Sequence, residues 1–171
     1  AAIWPEHHVI GGSDMTRDAL QQAAPGADLI HVACHGEFRA DSPRFSALHL
    51  FDGAFTALEL ESCTLAQSPI VVLAACDSGL TDVGRGDEYL GLVRAFLVAG
   101  ASRVIAALWA VDDERTAELM LKVHGALRDP VHRAAAGGRW VSAALTAIQR
   151  DYIARGAHPY DWAGFTLNGG A

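Results

Sequence analysis

The sequence predicts an α/β protein built on a mostly parallel sheet, with a short β-hairpin insertion. Three short and nearly continuous apolar runs carry this prediction, at 28–34, 69–75 and 103–109. Such runs are typical of strands that are buried on both faces, as parallel strands are. Between the runs, apolar residues recur with helical periodicity, which predicts the helices that connect parallel strands.

The first part of the chain alternates short elements with turn signals. Residues 15–23 predict a helix capped by Ser13 or Asp14 and broken by Pro25-Gly26. Two short strands then flank Asp52-Gly53, a dipeptide typical of hairpin turns. The stretch from Thr56 to Glu59 has the pattern of a capping box and opens a second short helix.

The second part of the chain predicts three helices and a closing strand. The glycines of 77–87 indicate a mobile loop between the second apolar run and the next helix. The periodicity of the apolar residues then predicts helices at 88–99, 112–127 and 140–154, a small-residue connector at 134–138 and a closing strand at 161–167.

Composition restricts the class of protein. A chain of 171 residues, 51% of them hydrophobic, has the size and apolar content of one globular domain. The net charge of −7, with no block of Lys and Arg, argues against a nucleic-acid partner. No apolar run approaches the roughly 20 residues of a membrane helix. The odd count of three cysteines disfavours a disulfide framework, so we expect a reducing, cytoplasmic setting.

Two of the apolar runs end at a reactive side chain close to a glycine. The first reaches His35 and Gly36, and the second reaches Cys76. Parallel strands end at the same edge of a sheet, so neighbouring strands would bring this imidazole beside this thiol. A histidine that takes the proton of a thiol makes a cysteine nucleophile. The N–H groups of Gly36 and Cys76 would hold the oxyanion that forms on attack.

Other interpretations of these residues remain open. Cys76 alone fits a buried core thiol, and His35 alone fits a core histidine near a turn. A metal site at His31, Cys34 and His35 is disfavoured, because strand alternation sends His31 and His35 to one face and Cys34 to the other. No second Cys/His cluster completes such a site, so we expect neither a metal nor a cofactor.

Four further residues are candidates for substrate binding. Asp77 either lines a pocket beside the thiol or caps a turn in the loop. Of Asp112 and Asp113, one is expected to cap the following helix, and the other could present a carboxylate at the sheet edge. Trp109 is either core or pocket wall. The aromatic group at 158–162 is interpreted as a packing corner.

The chain resembles the CHAT domain, a caspase-like peptidase module. The resemblance rests on a series of motifs in the family's order: His31-Val-Ala-Cys-His-Gly36, Ser46-Ala-Leu-His-Leu50, Leu73-Ala-Ala-Cys-Asp-Ser-Gly79, Gly91-Leu-Val-Arg-Ala-Phe96, Ala99-Gly-Ala101, Trp109-Ala-Val-Asp-Asp113 and His158-Pro-Tyr-Asp-Trp-Ala-Gly-Phe165. It implies a caspase-like three-layer sandwich. It also implies a Cys–His dyad in which His35 is the base and Cys76 the nucleophile, in a cysteine endopeptidase that cleaves a protein partner.

The resemblance also bears on specificity. In the caspase signature a glutamine stands where this chain has Ala74, and Ser78 separates Asp77 from the glycine. These departures disfavour a caspase-type preference for aspartate. The stretch ending in Asp113 is similar to the corresponding stretch of separase, which implies that Asp113 is the pocket acid for a basic residue before the cut.

The family implies regulation as well. A full CHAT domain carries a further amino-terminal part, whereas about thirty residues precede His35 here, so we expect residues 1–171 to form one incomplete domain. The family implies an attached repeat or sensor region that gates activity. An uncompleted sheet would expose a strand edge, so we also expect a partner chain or self-association that completes it. The rival interpretation is a non-catalytic caspase-like scaffold that binds a partner.

Overall fold

The computed structural model describes most of the chain, in five stretches: residues 3–39, 41–74, 90–109, 113–130 and 137–170. Within these stretches the strands are β1 Leu29–Val32, β2 Gly36–Glu37, β3 Ala47–Leu50, β4 Gly53–Thr56, β5 Ile70–Leu73, β6 Arg103–Ala107 and β7 Phe165–Gly169. The α-helices are α1 Arg17–Ala23, α2 Ala57–Glu61, α3 Leu90–Val98, α4 Asp113–Arg128 and α5 Trp140–Ala154.

The main sheet has the strand order β1-β5-β6-β7. The three strands β1, β5 and β6 are parallel, and β7 runs antiparallel to β6. The predicted parallel sheet is therefore confirmed, with an antiparallel strand added at one edge. The closing strand begins at Phe165 rather than at the predicted 161, because residues 159–161 form a 3-10 turn.

Both faces of this sheet are buried, which confirms the three-layer sandwich. Val71 and Leu73 point to the layer that contains α1, α2 and α3, whereas Ile70 and Val72 point to the layer of α4 and α5. Val71 and Val72 are adjacent and both are completely buried, which explains why the run shows no alternation of polar and apolar residues.

The insertion is the antiparallel sheet β2-β3-β4. The predicted hairpin is present, but its turn is Phe51-Asp52 rather than Asp52-Gly53, because Gly53 is already paired with Leu50. The predicted capping box is present at the start of α2. There the Thr56 hydroxyl accepts from the Glu59 N–H, and the Glu59 carboxylate accepts from the Thr56 N–H at 2.8 Å. Strand β2 was not predicted from the sequence, because two residues are too few to show an alternating pattern.

Helix boundaries follow local chemistry. The hydroxyl of Thr16 caps α1 by accepting from the Ala19 N–H, so the predicted caps at Ser13 and Asp14 are wrong. Helix α3 ends before Gly100, whose φ of 113° is a conformation that favours glycine. Helix α5 has the predicted bounds. The predicted loop at 77–87 lies outside the described residues. No helix in the described stretches is both long and apolar enough to cross a membrane.

Candidate functional site

The candidate site lies at the edge of the main sheet where β1, β5 and β6 end. Val32 of β1 is paired with Leu73 of β5, and the Ala74 N–H donates to the Val32 carbonyl at 2.9 Å. The pairing therefore continues just past the end of each strand. His35 is the third residue after Val32, and Cys76 is the third residue after Leu73.

His35 lies between β1 and β2 and is exposed. Its carbonyl accepts from the His49 N–H at 2.8 Å, which fixes the backbone at this point. The imidazole forms neither a hydrogen bond nor an ion pair with another described residue, a state that it shares only with His8 among the described histidines. The backbone of His35 is thus held in place, and its ring is available to a further group.

Gly36 is buried at the start of β2, opposite Leu48 of β3. The hydrogen bond from His49 to His35 belongs to the neighbouring pair of the ladder. Because hydrogen-bonded and non-hydrogen-bonded pairs alternate between antiparallel strands, the Gly36 N–H faces away from β3. This orientation leaves the amide free of the hairpin ladder, as an oxyanion donor requires.

Some of the remaining predicted site residues lie outside the described residues: Cys76, Asp77 and Asp112. Asp113 is the first residue of α4, so this helix begins at the carboxyl end of β6 as predicted. Ala74 is the last described residue before Cys76.

Trp109 follows β6 and is half-buried. Its indole N–H donates to the Tyr160 carbonyl at 3.3 Å, and the two rings are stacked with centroids 6.3 Å apart. Gly164 lies flat against the indole, since a Cβ there would come within 2.8 Å of it. The aromatic corner predicted at 158–162 therefore packs against Trp109 through Tyr160, and Gly164 lies beside it.

An ion pair beside this corner was not predicted from the sequence. The Asp161 carboxylate, only 12% exposed, pairs with the guanidinium of Arg115 on α4. It joins the corner to the helix that begins at Asp113. The two partners are 46 residues apart in the chain, so no local sequence pattern predicts the contact.

The two described cysteines have weakly acidic thiols. Burial raises the pKa of Cys34 to about 11, although a backbone hydrogen bond from His49 acts in the opposite direction. Burial also raises the pKa of Cys63. Both thiols therefore stay protonated near neutral pH and are poor nucleophiles.

The structure does not bring His31, Cys34 and His35 into one site. His31 Nδ1 lies 2.7 Å from His124 Nε2 on the α4 side of the sheet, whereas Cys34 packs against the opposite core. Strand β1 ends at Val32, so the predicted strand alternation does not extend to His35. Among the described residues, no group of three His, Cys, Asp or Glu side chains could hold a metal.

The contact between His31 and His124 was also missed by sequence reasoning. It continues to Trp4, whose indole N–H donates to His124 Nδ1 at 3.1 Å. The three rings come from the amino-terminal segment, from α4 and from β1. The bonded residues are 93 and 120 positions apart in the chain, so no local sequence pattern predicts these contacts.

Comparison with known proteins supports the resemblance noted in the sequence. The family model of the CHAT domain matches residues 2–170, which is nearly the whole chain. No curated protein matches this chain.

Proposed function

Because the chain belongs to the CHAT domain family, which is related to the caspase-like cysteine peptidases, we propose that it is a cysteine endopeptidase of the caspase/separase type. It would cleave a protein partner through a dyad of His35 and Cys76. The observation that carries the proposal is the register of Val32 with Leu73, which gives the two residues equal offsets from one pair of neighbouring strands.

The chemistry uses only groups of this chain and water. His35 takes the proton of Cys76, and the thiolate attacks the carbonyl carbon of the peptide bond. The N–H groups of Gly36 and Cys76 stabilise the oxyanion. His35 then gives its proton to the departing amine, which leaves a thioester on Cys76. Water, deprotonated by His35, hydrolyses this thioester and restores the thiol.

The state of His35 supports this role. A general base must be within reach of its partner and must not be occupied by another strong hydrogen bond. His35 meets the second condition among the described residues, whereas the rings of His31 and His124 are bonded to each other. The backbone of His35, fixed through His49, limits the positions that its ring can adopt.

The proposed substrate pocket lies on the opposite side of β5 from His35. Trp109 would form one wall, with Asp77, Asp112 and Asp113 supplying negative charge. Asp161 adds little to this charge, since Arg115 neutralises it. A negatively charged pocket favours a basic side chain before the scissile bond.

Regulation by another region is part of the proposal. Among the described strands, β1 pairs only with β5. The main-chain groups of Asp28 and Val32 bond towards β5, so those of Leu29 and His31 face the outer edge. An attached repeat or sensor region, or a partner chain that adds a strand here, would cover this edge and act on the strand that leads to His35.

The test is cleavage of candidate protein partners by the wild-type chain and by Cys76→Ala. Cys63→Ala is the matched control, because it removes a thiol far from the proposed dyad. We expect cleavage by the wild type and by Cys63→Ala, and none by Cys76→Ala. Undiminished cleavage by Cys76→Ala contradicts the mechanism. Binding of a partner without cleavage by any of the three chains favours the non-catalytic scaffold.

A further inference from the structure

Three aromatic rings form a hydrogen-bonded chain, here called the ring relay: Trp4, His124 and His31. The indole N–H of Trp4 donates to His124 Nδ1 at 3.1 Å, and His124 Nε2 lies 2.7 Å from His31 Nδ1. The two imidazole planes are nearly parallel, with an interplanar angle of 14° and centroids 4.9 Å apart, and the rings meet side by side through these two nitrogens. The indole meets His124 edge-on.

The direction of the ring relay follows from donor chemistry. An indole nitrogen can only donate, so Nδ1 of His124 must be the acceptor. A neutral His124 then carries its proton on Nε2 and donates it to His31 Nδ1. The proton of His31 is consequently on Nε2. Burial lowers the pKa of both rings, which agrees with two neutral imidazoles in this arrangement.

The ring relay acts on an edge strand of the main sheet. β1 is at one end of the strand order and bonds to a single neighbour, β5, among the described strands. Its buried side chains Ile30 and Val32 pack on the opposite layer. Within the described stretches, the bond from His124 to His31 is the side-chain hydrogen bond that joins β1 to α4.

Both elements that the ring relay joins lead to the proposed site. β1 reaches His35 three residues after Val32, with the backbone tied to His49. Helix α4 begins at Asp113, eleven residues or about 16 Å before His124. The ring relay therefore links the strand of the proposed base to the helix of the proposed pocket acid.

We propose that Trp4, His124 and His31 are positioning residues. They fix the position of β1 along α4, and with it the position of His35 relative to Cys76. This inference rests on the proposed function, since it concerns the geometry of the proposed dyad. The amino-terminal segment is thereby coupled to the site. Displacement of Trp4 would loosen β1 and move His35 relative to Cys76.

The segment that carries Trp4 has a second attachment. The Arg128 guanidinium on α4 donates to the carbonyl of Ile3, and His7 Nδ1 lies 2.9 Å from the Trp4 carbonyl. Trp4 also packs against the core under α4 and α5. Trp4→Phe keeps an aromatic ring in this core and removes the indole N–H together with the second ring. A Trp-to-Phe control on the same core is therefore needed to separate the lost hydrogen bond from the lost packing.

The first experiment is ¹⁵N NMR of the imidazoles in the wild type and in Trp4→Phe. The wild type should show His124 protonated at Nε2. In Trp4→Phe, His124 should lose this preference, and the resonances of His31 and His35 should shift as well. The matched control is Trp140→Phe, which removes the same atoms from a tryptophan that packs against the same core and should leave the His31 and His35 resonances unchanged. Unchanged His31 and His35 resonances in Trp4→Phe overturn the inference.

The second experiment measures the alkylation rate of Cys76 as a function of the concentration of a peptide electrophile. This dependence gives a maximal rate and a half-saturating concentration. We expect Trp4→Phe to lower the maximal rate about 3- to 10-fold with half-saturation unchanged. His124→Gln can still donate to His31, whereas His124→Asn can accept from Trp4 but is too short to reach His31. The glutamine variant should therefore retain the higher rate. Equal rates in the two variants contradict the inference.

The two experiments separate the inference from the proposed function. A wild-type chain in which Cys76 shows no preferential alkylation contradicts the proposed dyad, whatever the NMR result. A reactive Cys76 whose rate is the same in Trp4→Phe and Trp140→Phe contradicts the ring relay alone.

Discussion

Val32 and Leu73 are partners in the register of two neighbouring parallel strands, and each is followed at the third position by a residue of the proposed dyad. The pairing extends beyond the partners, since the Ala74 N–H donates to the Val32 carbonyl. Two main-chain hydrogen bonds, at Val32 and at His49, therefore fix the chain on either side of the turn that leads to His35. The proposed chemistry depends on this frame.

The contact between α3 and the turn at 43–45 should be intolerant of any side chain at Gly91. A Cβ there would lie 2.2 Å from the Pro43 carbonyl oxygen, so Gly91→Ala must displace the helix or the turn. We expect the free energy of unfolding to fall by about 1–3 kcal/mol, measured by urea denaturation.

Gly125 on α4 is the matched control for that substitution, because no atom lies within 4 Å of its Cβ position. Gly125→Ala should raise the free energy of unfolding by about 0.5–1 kcal/mol through helix propensity alone. A loss of stability in both variants, or in neither, would show that the close approach at Pro43 is not what makes Gly91 necessary.

Acid should destabilise the chain partly through His31. Burial, and secondly the repulsion of His124, lower the pKa of His31 from 6.5 to about 4. Between these two values the unfolded chain binds more protons than the folded chain, so stability is highest above pH 6.5 and falls as the pH decreases towards 4. Because solvent still reaches part of His31, screening reduces the contribution to about 1–2 kcal/mol.

The measurement is urea denaturation at a series of pH values for the wild type and for His31→Gln. The loss of stability between pH 6.5 and 4 should be smaller in the variant, since glutamine does not titrate. His8→Gln, at an exposed position, should follow the wild type. Parallel curves for all three chains would contradict a lowered pKa at His31.

The charge of the proposed pocket can be tested at Asp113. Asp113→Asn should raise the KM for peptides with a basic residue before the cut about 10-fold, which is about 1.4 kcal/mol, because a charged pair becomes a neutral one. Peptides with a neutral residue there should be unaffected. Glu118→Gln, on the exposed part of the same helix, is the control. An equal loss for both peptides would argue against Asp113 as a specificity residue.

Sequence patterns predicted the elements that depend on neighbouring residues. The apolar periodicity of 140–154 predicted the bounds of α5, and Asp52-Gly53 located the hairpin turn to within one residue, because in both cases the determining contacts lie within one element or one turn. The parallel sheet followed from continuous apolar runs, which need cover on both faces. The three-layer arrangement was implied by the resemblance to the CHAT domain.

Long-range contacts between polar side chains were not predictable in this way. Trp4, His124 and His31 come from three separate elements, and the pair of Asp161 with Arg115 joins a turn to a helix. Each of these residues has an ordinary local environment in the sequence. The predicted cap of α1 was wrong for a smaller reason. Ser13, Asp14 and Thr16 are all good caps, but Ser13 and Asp14 belong to a 3-10 turn at Gly12–Asp14, and Thr16 caps the helix.

The central claim is that His35 activates Cys76. The most direct measurement is the alkylation rate of each of the three thiols by a peptide electrophile near neutral pH, in the wild type and in His35→Ala. Cys34 and Cys63 provide internal references, because burial raises the pKa of both thiols. We predict that Cys76 reacts at least about 10-fold faster than either and loses this advantage in His35→Ala. Equal rates at all three cysteines, or a Cys76 rate unaffected by His35→Ala, would contradict the account.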